Sequence, residues 1–275
     1  MPKISAIIFF IFAILVWGTV AHSQLVRQVT PESATNPKPD DNDFIIPLPC
    51  DLTMAFRPIF IPEKGYLGEF EGSFGQDPVN TEGDETNFIN QKHKVYLGSA
   101  LSVESLPQAY QAKAQAIKKQ LGNDQADRQL YLIGKYEVTN AQYEAVVNEN
   151  CKLGADSARP VASVSFYDAL NFTYKLMQYL LDQAPDSLPR EQQDKRNIGI
   201  LRLPTEEEWE YAARGGHMVS NESLTLEDFF PMEEGKTPKN YGLYYDEISP
   251  PVRTPTNIGS FQPNPAGIYD TIGNV

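Results

Sequence analysis

Hydrophobic residues recur at strand-like spacing in three parts of the chain. Residues 44–75 consist of short apolar runs cut by proline and glycine, which is typical of strands joined by turns. Residues 93–97 alternate, with Val95 and Leu97 on one face, and predict a further strand. Residues 131–138 are largely apolar and predict another strand, directly before a helix start.

A helical pattern extends over residues 105–121. Pro107 falls in its first turn and Gly122 follows its last residue, as is usual for helix ends. One apolar stripe contains Leu106, Tyr110, Ile117 and Leu121. We interpret the helix as amphipathic and packed on its own domain, with a partner-binding helix as the alternative.

Three more helices are predicted from their capping residues. Thr139 opens the first, Ser165 with Asp168 the second, and Thr205 with Glu208 the third. The second helix is expected to bury Phe166, Leu170, Leu176, Met177, Leu180 and Leu181.

The run 201–216 combines a strand signal with the last of these helices. Arg202 lies between two leucines and is expected to pair with an acid. Glu206, Glu207 and Glu208 fill the first helical turn, where the helix dipole favours anions, and Gly215 closes the helix. We therefore interpret this acidic triplet as architecture rather than as catalytic groups.

Loops dominate the chain beyond Phe230. Seven prolines fall between Pro231 and Pro265, which excludes long helices there. Such a region must be held by side-chain hydrogen bonds, aromatic packing or bound cations. The pattern as a whole predicts a mixed α+β domain with a large loop content.

Composition narrows the class of protein. The 275 residues carry 23 Lys and Arg against 36 Asp and Glu, which gives a formal charge of −13. An apolar content of 41% excludes wholesale disorder, and 21% charged residues exclude a polytopic membrane protein. The acidic balance argues against nucleic acid as a partner, because phosphate binding needs a cationic face.

The N-terminus predicts export. Lys3 precedes an apolar run over residues 4–20, and the small residues Ala21 and Ser23 follow at the positions a signal peptidase reads. We expect a signal peptide over residues 1–23, a linker over 24–43 and one domain over 44–275, in a periplasmic or secreted protein. The alternative is an uncleaved membrane anchor over residues 4–20, which would be the chain's membrane contact.

Cysteine and histidine usage limits the metal chemistry. Export permits a disulfide between Cys50 and Cys151, the two cysteines of the chain, but two buried thiols are an equal alternative. Three histidines, one of them in the predicted signal peptide, argue against a His-rich zinc site.

Four motifs, in order, resemble the formylglycine-generating enzyme (sulfatase-modifying factor) family. They lie at residues 137–143, 160–169, 201–216 and 263–275, and the run Leu201-Arg202-Leu203-Pro204-Thr205 opens the most diagnostic of them. The resemblance implies a C-type-lectin-like fold over roughly residues 44–275. It also implies a domain that is incomplete at the C-terminus, because the family's Gly-Asn-Val run ordinarily continues into Trp-Glu-Trp.

The resemblance implies two metals. Family oxidases hold copper through two cysteines in the last part of the domain, a place that neither Cys50 nor Cys151 occupies, so copper would require cysteines beyond Val275. Family members also bind calcium in the late loops, with ligands near Asn240 and at the Asn of the Gly-Asn run, here Asn274. Asp246 is expected to add a carboxylate, because hard oxygen ligands suit calcium.

The resemblance leaves the function open between two classes. Our leading hypothesis is an exported, non-catalytic binding or regulatory module whose partner is another envelope or exported protein. The sequence around residues 229–232 resembles that of exported relatives associated with type VI secretion. The alternative is a fragment of a copper-dependent oxidase that converts a sulfatase cysteine to formylglycine. Sulfoxide synthesis, as in iron-dependent relatives, ranks last because its histidine ligands are missing.

Overall fold

The computed structural model describes residues 29–61, 70–75, 92–98, 101–121, 129–191, 196, 198–220, 223–225, 230–243 and 254–275. The predicted signal peptide lies outside this part. Within it, every helix is too short or too polar to cross a membrane. The strands are β1 (Phe44–Pro47), β2 (Thr53–Phe60), β3 (Phe70–Phe74), β4 (His93–Leu97) and β5 (Leu130–Gly134). The helices are α1 (Pro31–Thr35), α2 (Gln108–Gln120), α3 (Asn140–Val147), α4 (Phe166–Gln183) and α5 (Glu206–Ala213).

The strands form two antiparallel sheets. One has the order β1-β2-β5, with Phe44 opposite Phe56 and Ile59 opposite Tyr131. The other pairs β3 with β4. The predicted strands at 44–75 and 93–97 are confirmed. The strand predicted over 131–138 ends earlier, at Gly134.

Strand β2 separates two apolar cores. Phe56 and Phe60 belong to a large cluster that also includes buried residues of all four helices α1 to α4. Ile59, from the opposite face of the strand, belongs to a second cluster with Val95 and Tyr211. Because successive side chains of a strand point to opposite faces, one strand supplies both cores. The fold is therefore a mixed arrangement of helices and sheets, as predicted.

The helix starts agree with the capping residues. Thr139, Ser165 and Thr205 each accept a hydrogen bond from the backbone three residues ahead, and each helix returns a side chain to the cap. Such reciprocal caps satisfy two backbone donors that would otherwise lack partners, and losing one cap costs about 1 kcal/mol. The predicted helix over 105–121 is confirmed as α2 over 108–120.

Helix α4 buries part of the face that the sequence predicts: Leu176 and Leu180 are buried as expected, and Met177 is partly buried against the core. Its fully buried residues are Phe172, Leu176 and Leu180. Three residues that we expected to be buried are exposed instead: Phe166, Leu170 and Leu181. The helix carries two neighbouring apolar stripes, and the domain covers one of them.

Residues 29–43 pack against the domain, although their composition favours a linker. Ala34 in α1 is fully buried, and the buried Asp43 binds the buried ammonium of Lys135 at 2.7 Å. Lys135 also donates to the carbonyl oxygen of Lys38, and Arg57 Nη1 pairs with Asp43 at 3.2 Å. This described part of the segment belongs to the packed unit.

Side-chain hydrogen bonds hold the loops beyond Phe230, as predicted. Asn264 is buried and donates to the carbonyl oxygens of Ala212 and Ala213, which end α5. Its own carbonyl oxygen accepts the backbone N–H groups of Ala266 and Ile268, each at 3.0 Å. One amide side chain therefore joins a helix end to the loop that follows.

Candidate functional site

The late loops bring two of the three predicted calcium ligands into one region. Asn240 ends a short 3-10 turn and its side-chain oxygen accepts the N–H of Thr237 at 2.9 Å. Asn274 donates its backbone N–H to the carbonyl oxygen of Leu243 at 2.7 Å. Leu243 follows Asn240 by three positions in the sequence. The third predicted ligand, Asp246, lies outside the described residues.

Asn274 joins three segments through its side chain. Its amide oxygen accepts the N–H of Thr256 at 2.9 Å, and its amide nitrogen donates to Glu137 Oε2 at 2.7 Å. The other oxygen of Glu137 accepts the N–H of Val275 at 3.1 Å. The side-chain oxygens of both predicted asparagine ligands thus accept hydrogen bonds within the protein.

Two acids that no sequence pattern marks as ligands, Glu137 and Asp270, lie beside these loops. Burial raises the pKa of Glu137 to about 7; the hydrogen bond from Asn274 opposes the rise and the charge of Asp270 adds to it. Burial also raises the pKa of Asp270 to about 6, although the hydrogen bond from the N–H of Gly259 to its Oδ2 opposes the rise. Their common feature in the sequence is a tyrosine directly before the acid, Tyr136 and Tyr269.

Among the described residues, two buried side-chain oxygens have no hydrogen-bond partner. They are Asp270 Oδ1 and Gln262 Oε1. Each is linked to a predicted calcium ligand: Gln262 donates its backbone N–H to the carbonyl oxygen of Asn240, and the charge of Asp270 acts on Glu137, which accepts from Asn274. A buried oxygen without a donor is costly, and a hard cation would satisfy it.

Few acidic side chains are available to a cation in these loops. In the described part of the chain, no group of three or more His, Cys, Asp or Glu side chains converges on one point. A cation in these loops would therefore take one or two carboxylates and complete its shell with amide and carbonyl oxygens. Calcium accepts such a mixed set, and among the described residues Asp270 Oδ1 and Gln262 Oε1 are the buried side-chain oxygens open to it.

The two cysteines are joined to each other. Cys50, in a short turn between β1 and β2, forms a disulfide with Cys151, which follows α3, across 101 residues of sequence. This resolves the alternative that the sequence left open in favour of the disulfide. Because thiolates are the ligands that hold cuprous copper, these sulfurs do not fit a copper site while they are bonded together.

The run at residues 201–216 forms an ion-paired helix start. Arg202 donates two hydrogen bonds of 2.7 Å each to the carboxylate of Glu208, so the expected acid partner is confirmed. Arg202 does not lie in a strand, however. Burial would raise the pKa of Glu208, but Arg202 and the N–H of Thr205 hold it below the usual value. The buried Arg214 pairs with Glu210 one turn away. These contacts support the architectural interpretation.

Several large apolar side chains of helix α4 are exposed to solvent. Phe166, Tyr167 and Tyr174 are exposed by 66%, 80% and 61%, and Leu170 and Leu181 lie beside them at helical spacing. Phe166 and Tyr167 contact each other edge to face. We define Phe166, Tyr167, Leu170, Tyr174 and Leu181 as the α4 stripe. Exposed apolar clusters of this kind mark interaction sites.

Comparisons with known proteins match this chain to one family and two individual proteins. The family described as Sulfatase-modifying factor enzyme 1-like domain matches residues 104–275. Chaperone protein LppX of Paenibacillus barcinonensis is 29% identical over 167 residues, which are 53% of this chain and 60% of LppX, so the chain spans less than two thirds of that relative. The structure of PvdO from Pseudomonas aeruginosa aligns with a TM-score of 0.44 and 16% identity, over 85% of this chain and 72% of PvdO.

Proposed function

The chain belongs to the Sulfatase-modifying factor enzyme 1-like domain family, and on that premise we propose that it is a non-catalytic binding module of an exported protein. The observation that carries the proposal is the similarity to LppX, which is named a chaperone protein. The disulfide between Cys50 and Cys151 is consistent with it, because a copper site of this family needs two thiolates and these two sulfurs are bonded to each other. The C-type-lectin-like topology expected from the resemblance stays a prediction.

The binding role is supported by a relative. LppX is named a chaperone protein, and a chaperone acts by contact with another polypeptide. We propose the same kind of role here, with an exported or envelope polypeptide as the partner. The predicted signal peptide, which would deliver the protein to that compartment, is consistent with this role. Association with a type VI secretion pathway is a narrower form of the proposal.

Calcium has a structural role in this proposal. Asp270 would supply the carboxylate, and the region from Asn240 to Asn274, including Asp246, would supply further oxygen ligands. The ion would neutralise a buried acid and hold the late loops together. Saturating calcium should raise the free energy of unfolding by roughly 2–4 kcal/mol if it binds the native state tightly. An unchanged melting temperature with calcium would remove this part of the proposal.

The non-catalytic proposal is tested by the thiols and by copper. Unfolding the native protein without a reductant should expose no reactive thiol, and adding a reductant should expose both cysteines. Titration with cuprous ion against a chromogenic chelator should show no tight one-to-one complex. A tight one-to-one complex with cuprous ion would support the oxidase alternative instead.

A further inference from the structure

The disulfide between Cys50 and Cys151 joins a half-buried residue to an exposed one. Cys151 lies within residues 148–152, all of which are exposed, whereas Cys50 packs against the large apolar cluster. A thiolate in solution therefore reaches Cys151 more easily than Cys50. Disulfides that are exposed or strained are the ones that exchange readily with thiols and serve regulation, whereas structural disulfides resist reduction.

The backbone on both sides of this disulfide is in an uncommon conformation. Cys50 and Asp51 are left-handed, with φ of 65° and 56°, and so is Glu149, two residues before Cys151, with φ of 54°. Residues other than glycine rarely adopt this conformation. In the described part of the chain, three of the six such residues lie within two positions of a cysteine. Backbone of this kind concentrates at switch segments, because the surrounding structure must hold it in place.

Helix α4 is bonded to both segments that the disulfide joins. The phenol of Tyr179 donates to the carbonyl oxygen of Leu48 at 3.2 Å, two residues before Cys50. The ammonium of Lys175 donates to the carbonyl oxygen of Val147 at 2.7 Å, at the end of α3. The disulfide therefore limits how far the two acceptors of α4 can separate, and breaking it would weaken both of these anchors together.

We propose that this disulfide is a redox switch, opened by a dithiol protein, that loosens α4 and the end of α3. One thiolate of the dithiol attacks Sγ of Cys151 and forms a mixed disulfide, while the bond to Cys50 breaks and Sγ of Cys50 leaves with the electron pair and takes up a proton. The second thiolate of the dithiol then attacks the sulfur that its partner placed on Cys151, which releases Cys151 as a thiolate. The dithiol is oxidised to a disulfide, and the two cysteines are reduced.

The second apolar cluster should be left intact when the switch opens. Helix α5 contributes Tyr211 and Ala212 to that cluster, on the other face of β2. Asn264 ties the end of α5 to the loop that follows. These contacts involve neither segment that the disulfide joins. The expected change is therefore local, and α5 serves as an internal reference for it.

The route of reduction is tested on the native protein without denaturant. With dithiothreitol, direct attack predicts a rate of reduction that rises in proportion to the thiol concentration and increases with pH, because the thiolate is the nucleophile. Brief exposure to reduced glutathione, an acid quench and mass spectrometry should find glutathione at least about tenfold more often on Cys151 than on Cys50. A rate that is independent of thiol concentration, and so set by unfolding, or equal labelling of the two cysteines would overturn the inference.

The structural response is tested by amide hydrogen exchange of the oxidised and the reduced protein. Reduction should speed exchange in α4 and in residues 148–158 at least about tenfold, and in α5 less than about twofold. The double variant Cys50→Ser with Cys151→Ser is the matched control, and it should show the reduced pattern with or without dithiothreitol. Unchanged exchange in α4, or equal acceleration in α4 and α5, would overturn the inference. Neither test involves copper or a binding partner, so the inference and the proposed function fail on separate measurements.

Discussion

Replacing Asp270 with Asn separates the cost of a buried carboxylate from its use as a calcium ligand. Asp270 is 7% exposed, and its Oδ1 has no hydrogen-bond partner. Its backbone is left-handed, with φ of 57°, a conformation that asparagine tolerates well. The change therefore preserves the shape of the side chain, its acceptor for Gly259 and the backbone preference, and removes the charge.

The size and sign of the effect follow from the pKa. Burial raises the pKa of Asp270 from 3.8 to about 6, and this gap corresponds to roughly 3 kcal/mol. Near pH 4 the carboxyl is largely protonated in the folded protein, so it costs little. Between pH 4 and 6 the unfolded state loses its proton first, and the folded state loses stability as the pH rises. Above pH 6 the full cost remains.

Without calcium, D270N should therefore match the native protein near pH 4 and exceed its free energy of unfolding by up to roughly 3 kcal/mol at pH 8. Urea unfolding, monitored by circular dichroism, measures the free energy of unfolding of both proteins at each pH. Asp51→Asn is the matched control, because Asp51 has a similar φ of 56° but is exposed, and it should change stability little at either pH. A D270N protein that is less stable than native at pH 8 without calcium would refute the reasoning.

Calcium should change the relative stability of D270N and the native protein. If Asp270 is a ligand, saturating calcium stabilises the native protein by roughly 2–4 kcal/mol and leaves D270N nearly unaffected. The advantage of the variant at pH 8 would then shrink or reverse. Equal stabilisation of both proteins by calcium would show that Asp270 is not the ligand.

Three further perturbations test the framework. Replacing Cys50 and Cys151 with alanine opens a loop of about 100 residues and should cost about 4–5 kcal/mol in urea unfolding, and a loss below 1 kcal/mol would contradict a structural role. Lys135→Met removes a buried partner of Asp43 and should cost at least about 2 kcal/mol, against under about 0.5 kcal/mol for the exposed Lys119→Met. Thr205→Ala should cost about 1 kcal/mol through its lost cap, and Thr205→Ser should largely keep it.

Local features of the fold could be predicted from the sequence because their causes are local. Each capping box lies within four consecutive residues, so Thr139, Ser165 and Thr205 mark their helices without tertiary information. The alternation that buries Val95 and Leu97 is equally local. Proline spacing likewise predicts the loops beyond Phe230.

The face of α4 could not be assigned in this way. Leucine and aromatic residues occupy two adjoining stripes, and periodicity does not indicate which one a distant segment covers. The choice depends on packing against α3 and the large core cluster, and it leaves Phe166 and Leu170 in solvent.

The candidate calcium region depends on contacts between distant residues. Glu137 and Asn274 are 137 residues apart in sequence and meet only in the folded chain. The unpartnered oxygen of Asp270 is a property of its surroundings, and the residue type alone does not reveal it. The pairing of Cys50 with Cys151 is likewise set by tertiary structure.

The central claim, that this chain binds rather than oxidises, is tested most directly with a sulfatase-type peptide. The protein would be loaded with cuprous ion and incubated with oxygen, a reductant and a peptide containing Cys-x-Pro-x-Arg, and mass spectrometry would follow the cysteine. We predict that the peptide is recovered with its cysteine intact, apart from the disulfide formation seen without protein. Conversion of that cysteine to formylglycine over repeated turnovers would contradict the account.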